Sequence, residues 1–112
     1  MNSFEKIKQA CKACSIPAYP DFNTNGEKTF CVYNFSSETP DCFGDDEPGA
    51  IIAALQVHLY MPAGENFFAL RKQLRQALFE QGFTYPSVTL NTTEEDNTVR
   101  HITLEFEDDE EE

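Results

Sequence analysis

The stretch Ala50–Met61, AIIAALQVHLYM, sorts its side chains with a period of two. Ile51, Ala53, Leu55, Val57 and Leu59 fall on one face, and Gln56, His58 and Tyr60 on the other. That period belongs to a β-strand, whose successive side chains leave opposite sides of the pleat. One dry face and one wetter face predict a sheet covered by a second layer on one side only. Such a strand needs partner strands and a covering layer. A chain of 112 residues is long enough for one core of this kind and too short for two.

The covering layer is readable on either side of this strand. Between Asn2 and Ser15, Phe4, Ile7, Cys11 and Cys14 recur at helical spacing, while Lys6, Lys8, Gln9 and Lys12 lie off that stripe. Asn2 or Ser3 caps the start, and Pro17 and Pro20 stop the helix. A second helix is predicted over Glu65–Gln81, with Phe67, Leu70, Leu74, Ala77 and Leu78 inward and Gly82 as its left-handed stop. Partner strands are predicted at Thr29–Phe35 and in a hairpin of Thr84–Asn91 with Thr98–Phe106. In the last strand Ile102, Leu104 and Phe106 point inward and His101, Thr103 and Glu105 outward. Asp21–Lys28, with Asn25-Gly26, reads as a turn, and Ser36–Gly49 as a long loop with two prolines, two glycines and five acids. The expected fold is α+β, in the order α-β-β-α-β-β, with two helices on one face of a four-stranded, mainly antiparallel sheet.

Charge narrows the function. Twenty acids face eight bases, a net of −12. Seven of those acids lie in Glu105–Glu112. The reading is therefore one domain over residues 1–106 and a solvated, disordered acidic tail over 107–112. A chain this acidic is a poor match for a phosphate backbone or an anionic membrane surface. Protein partners are expected, with neither a membrane nor sequence-specific nucleic acid among them. No apolar run reaches the roughly 18 residues of a membrane span. The first ten residues lack the apolar core of a signal peptide, which points to the cytosol.

Catalytic patterns are scarce. Cys11-Lys12-Ala13-Cys14 is a CxxC, but it falls near the end of its helix, where the dipole field opposes a thiolate. Its plainer reading is two core-side thiols one turn apart. Cys31 and Cys42 do not supply a zinc-knuckle spacing. His58 and His101 sit on outward strand faces and would meet if their strands pair. A shared metal or a proton relay would then be open to them, and two solvated histidines is the plainer reading. Asp45-Asp46-Glu47 lacks the alternating oxygen ligands of a calcium loop. No enzyme, cofactor or metal is predicted.

A longer pattern carries more information. Phe43-Gly44-Asp45-Asp46-Glu47-Pro48 precedes the strand that ends Gln56-Val57-His58-Leu59-Tyr60. An amphipathic helix follows, then the stop Gly82-Phe83-Thr84-Tyr85-Pro86 and a final strand, Ile102-Thr103-Leu104-Glu105-Phe106-Glu107. In this order and spacing, over roughly Val32 to Glu107, the chain resembles the tail-completion, or head–tail joining, proteins of siphophages and prophages. The resemblance implies a small, non-enzymatic α/β subunit that forms a ring, typically a hexamer, on the head-proximal end of the tail tube. Its implied partners are the tail-tube protein, the head connector and further copies of itself. Its implied location is the host bacterial cytoplasm during assembly and then the virion tail. The CxxC and the long acidic C-terminus depart from that pattern. Candidate interface residues are Phe43, Asp45 and Asp46 in the acidic segment and Gln56, His58 and Tyr60 on the wetter sheet face. The competing expectation is a small acidic inhibitor that mimics DNA towards a host nucleic-acid-binding protein.

Overall fold

The computed structural model describes residues 2–22, 26–44 and 47–110. Helix α1 runs Ser3–Ala13, and the Asn2 side chain accepts the Glu5 N–H at 2.9 Å to cap it. Its C-terminus closes as a Schellman motif. The Ile16 N–H reaches the Cys11 carbonyl at 2.9 Å and the Ser15 N–H the Lys12 carbonyl at 3.0 Å, with Ser15 left-handed at φ 59°. Buried Ile16 then seats the exit of the helix on the core.

Five strands follow: β1 (Ala18–Pro20), β2 (Phe30–Gly44), β3 (Glu47–Pro62), β4 (Ser87–Glu94) and β5 (Val99–Glu110). Helix α2 (Phe67–Glu80) joins β3 to β4, with Asn66 capping it through the Phe68 N–H at 3.0 Å. The sheet order is β1-β2-β3-β5-β4. All neighbours are antiparallel except β1 and β2.

The expected α+β class and its two-helix layer stand, but the sheet has five strands and is mixed. The extra strand, β1, hides between Pro17 and Pro20. Proline breaks a helix, yet it is tolerated on a sheet edge, where its missing N–H faces away from the ladder. β1 is such an edge. The Pro17 carbonyl accepts the Cys31 N–H at 2.8 Å, and the Tyr33 carbonyl accepts the Asp21 N–H at 3.0 Å.

Two further expectations change. Ser36–Gly49 is not a loop: β2 runs through it to Gly44 and β3 starts at Glu47, in register from Ser37↔Ala54 to Gly44↔Glu47. A bulge between Phe35 and Ser37 absorbs the irregularity, and the Ser36 hydroxyl donates to the Ala54 carbonyl at 3.1 Å. Nor does the domain end at Phe106. β5 continues to Glu110, pairing Glu107–Glu110 with Ala54–Ile51. Within this acidic run Asp108 is buried, taking the Ser3 hydroxyl at 2.8 Å and the Lys6 ammonium at 2.6 Å. A carboxylate with two partners that neutralise and solvate it is held in the fold. Glu111 and Glu112 lie outside the described residues.

One core lies between the helices and one sheet face. It joins Ile7, Ala10 and Cys11 of α1 and Leu74 and Leu78 of α2 to alternate residues of the strands: Cys31 and Tyr33, Ala53 to Met61, and Ile102 to Phe106. The body is long, 54 × 25 × 24 Å, with a radius of gyration of 15.1 Å. A compact chain of this length has about 13 Å. The excess comes from β2, β3 and β5, whose outer ends run past β1 and β4. β1 pairs β2 only at Cys31–Tyr33, and β4 pairs β5 only as far as Glu105.

Candidate assembly interface

The sheet face away from the helices is built in rungs, one residue per strand. Register places Asn34, Gln56 and Glu105 in one rung, Val32, His58 and Thr103 in the next, and Phe30, Tyr60 and His101 in the third. Each rung has its own chemistry. In the first, Asn34 Nδ2 donates to Gln56 Oε1 at 3.3 Å, and Gln56 Nε2 donates to Glu105 Oε1 at 2.7 Å. In the third, three rings stack: Phe30 on Tyr60 at 5.0 Å and Tyr60 on His101 at 4.4 Å, both at 20° between planes.

The histidines link the rungs. His58 Nδ1 and His101 Nε2 lie 2.9 Å apart, and Glu94 Oε2 contacts His101 Nδ1. A carboxylate on Nδ1 selects the Nδ1–H tautomer of His101, so neutral His101 Nε2 accepts and His58 Nδ1–H donates. The Thr103 hydroxyl sits 3.1 Å from His58 Nδ1 and 3.3 Å from His101 Nε2. Burial, followed by the His101 ring, pushes the His58 pKa below that of an ordinary histidine, against the opposing pull of Glu105 and Glu94. Burial and Glu94 raise the Tyr60 phenol. His58, in its folded environment, therefore resists gaining a proton.

The predicted residues Gln56, His58 and Tyr60 thus do share one face, each half-buried and engaged by neighbouring strands. His101 is 9% exposed and Thr103 4%, so His101 is withdrawn from solvent while His58 is half-buried. Thr103, readable as an outward residue of the last strand, joins the network, and Asn34 and Glu94, invisible without the register, complete it. Phe43 lies on β2 opposite Pro48. Asp45 and Asp46 lie outside the described residues.

Two of the thiols, Cys14 and Cys31, resist ionisation. Hydrogen bonding with Cys11, then burial, raises the Cys31 thiol well above its usual range, and burial raises Cys14. A raised thiol pKa leaves the nucleophilic form scarce. Among the described residues no three His, Cys, Asp or Glu side chains are placed to hold a metal.

The helical layer has an outer surface of different character. Phe68, Lys72, Arg75 and Phe79 recur along one stripe of α2. Phe68 is 62% exposed and Phe79 48%. The Arg75 guanidinium lies over Tyr85 at 4.8 Å and donates through Nε to the Pro86 carbonyl at 3.0 Å. Between the helices, Cys14, Lys72, Gln76 and Glu80 line a shallow groove of about 570 Å³.

No protein-family model matches the chain, and no curated protein resembles it significantly. Its fold does have a solved counterpart. A chain of the virion of a native gene transfer agent (GTA) particle superposes with a TM-score of 0.58 at 12% identity, over 98% of this chain and 92% of that one. No helix of the described residues is long and apolar enough to cross a membrane.

Proposed function

We propose that this protein is a structural subunit of a phage-like particle, acting where the tail tube meets the head. The observation that carries this reading is the end-to-end likeness to a chain of a gene transfer agent virion, with almost no unmatched segment on either side. The ordered motifs between Val32 and Glu107 supply the finer part, a tail-completion role. In this reading the chain closes as a ring of six, the number the resemblance implies, stops tube growth and presents a surface to the head connector. It assembles in the host cytoplasm, remains in the particle and catalyses nothing. The half-buried rungs of the sheet face suit such work, because a stiff, pre-paired surface loses little side-chain entropy on docking.

A second reading, the acidic DNA mimic, gains one point from the fold. Glu105–Glu110 belong to a strand, so their spacing is set by backbone pairing. Asp108, however, is already spent on Ser3 and Lys6.

Targeted mass spectrometry of purified particles separates the two. A few copies per particle, far below the tube protein, are expected for a joining subunit, and deletion should leave unjoined heads and tails. Absence from particles, together with capture of a basic host protein, would replace this reading with the second.

A further inference from the structure

We propose that the helical layer is the docking surface for the acidic strand ends of a second copy of this chain. The inference deepens the self-assembly part of the reading above and names the two surfaces that meet.

Charge is divided sharply between two parts of the molecule. α1 and α2 carry six of the eight bases, Lys6, Lys8, Lys12, Arg71, Lys72 and Arg75, and only two acids, Glu5 and Glu80. The outer ends of the three long strands, residues 36–44, 47–54 and 105–110, carry eight acids and no base. A subunit with a net charge of −12 therefore presents a positive face. Lys8, Lys12 and Lys72 are exposed, and among the described residues none of them forms an ion pair. Phe68 and Phe79 stand on the same α2 stripe as Lys72 and Arg75 and add apolar area there, while Lys8 and Lys12 lie on the side of α1 next to Pro17 and Ala18. An aromatic set among cations is the composition of a contact centre.

The strand ends complement it. Thr84 closes the β5 edge at Glu107, giving its N–H to the Glu107 carbonyl at 3.1 Å and taking the Glu107 N–H on its hydroxyl at 2.9 Å; beyond Tyr33 and Glu107 the three-stranded segment β2-β3-β5 has two open edges. Open edges invite pairing with another sheet unless charge or proline blunts them. Here Glu38, Pro40 and Asp41 occupy one edge strand and Asp108 to Glu110 the other. Strand end against strand end would repel, whereas strand end against helical layer attracts. The fold already makes this contact once within a copy, where Lys6 of α1 holds Asp108 of β5 at 2.6 Å. Lys12 lies six residues further along α1, about 9 Å along its axis, and faces solvent. The two surfaces differ, so contact between copies is head-to-tail, the type of contact that closes a ring where the rotation between copies divides a full turn.

The test uses two charge-reversed full-length variants. One carries Lys8→Glu, Lys12→Glu and Lys72→Glu, and the other Glu38→Lys, Asp41→Lys and Glu47→Lys. Circular dichroism and melting confirm that both fold, and a variant that does not fold is replaced by its single substitutions. Equal amounts of isotopically light and heavy protein are coupled with a zero-length carbodiimide at millimolar concentration and low salt. Wild type should give light–heavy links from the strand-end carboxylates to Lys8, Lys12 or Lys72, weakening as salt rises. Each variant alone should lose these links at least tenfold. A mixture of the two variants should regain inter-chain links, because each reversed surface then meets its opposite. The proposal fails if wild type gives no such links, if they scatter to Lys28, or if a single variant links as wild type does. Salt-sensitive binding of duplex DNA that is lost only in the lysine variant, without links between copies, would instead assign the helical face to nucleic acid. Particle copy number is independent of every one of these outcomes, so a low-copy virion subunit without the links would sink this interface alone.

Discussion

β3 shows two ways of closing a sheet face within a single strand. Towards the helices it presents Ala53, Leu55, Val57, Leu59 and Met61, none more than 2% exposed. Towards the other side it presents Ala54, Gln56, His58 and Tyr60, all half-buried. The first face is dry because a second layer lies on it, and its stabilisation scales with apolar area removed from water. Among the described residues no layer covers the second, and its side chains shelter one another through hydrogen bonds and stacked rings across β2, β3 and β5. Burial there is a property of the rung and not of the residue. The two faces should therefore respond very differently to substitution.

The largest effect is expected on the dry face. Leu59 is fully buried among side chains from the helices and the neighbouring strands. Leu59→Ala removes apolar contact and leaves a cavity, at a cost of about 2–5 kcal/mol. Urea denaturation should show a lower midpoint with an unchanged slope. A loss under 1 kcal/mol would mean that the helical layer collapses onto the gap, so that the dry face is less tightly packed than its burial implies.

A smaller loss is expected on the other face. Gln56→Leu removes the centre of the rung that joins Asn34 to Glu105. Both partners are half-exposed and recover water, so the cost should be about 1 kcal/mol, near a single net hydrogen bond. A loss as large as that of Leu59→Ala would show that the rungs are as closed to water as the core.

The same contrast explains what was legible in the residues. Face assignment was readable at Ala53–Leu59, Ile102–Phe106 and Leu74–Leu78, because a one-sided core imprints its period on the chain. What an acidic or proline-containing segment does was not. Ser36–Gly49 and Glu107–Glu110 look like loop and tail because strand propensity weighs composition, whereas long-range pairing decided the outcome. β1 was lost for a related reason, since a three-residue strand that ends in a proline has no period to read. At the candidate interface, Gln56, His58 and Tyr60 were identifiable as a face. His101 and Thr103 were readable as outward residues of the last strand, and the His58–His101 meeting as a condition on strand pairing; Asn34 and Glu94 become visible only through register. Asp108 is the clearest case. Nothing in Glu107–Glu112 marks it from its neighbours, yet Ser3 and Lys6, more than a hundred residues away, make it a buried anchor.

The smallest effect tests whether the rungs are protonation-sensitive while the core is not. His58 has a folded pKa below that of the unfolded chain, through burial and the neighbouring His101 ring. The unfolded chain then binds the proton more readily than the fold. Stability is fully present above the unfolded value of roughly 6.5 and is lost as pH falls through the folded value. Glu105 and Glu94 oppose this by favouring the charged ring, which keeps the effect modest. Melting temperature should therefore drop between pH 7.5 and pH 5.5, and His58→Gln should flatten part of that drop. Leu59→Ala should lower the whole curve without changing its slope, since Leu59 lies on the face of β3 opposite His58. If His58→Gln kept the full wild-type slope, the proton uptake would belong to other groups, and the histidine pair would behave as a packed pair of rings with no share in the pH response.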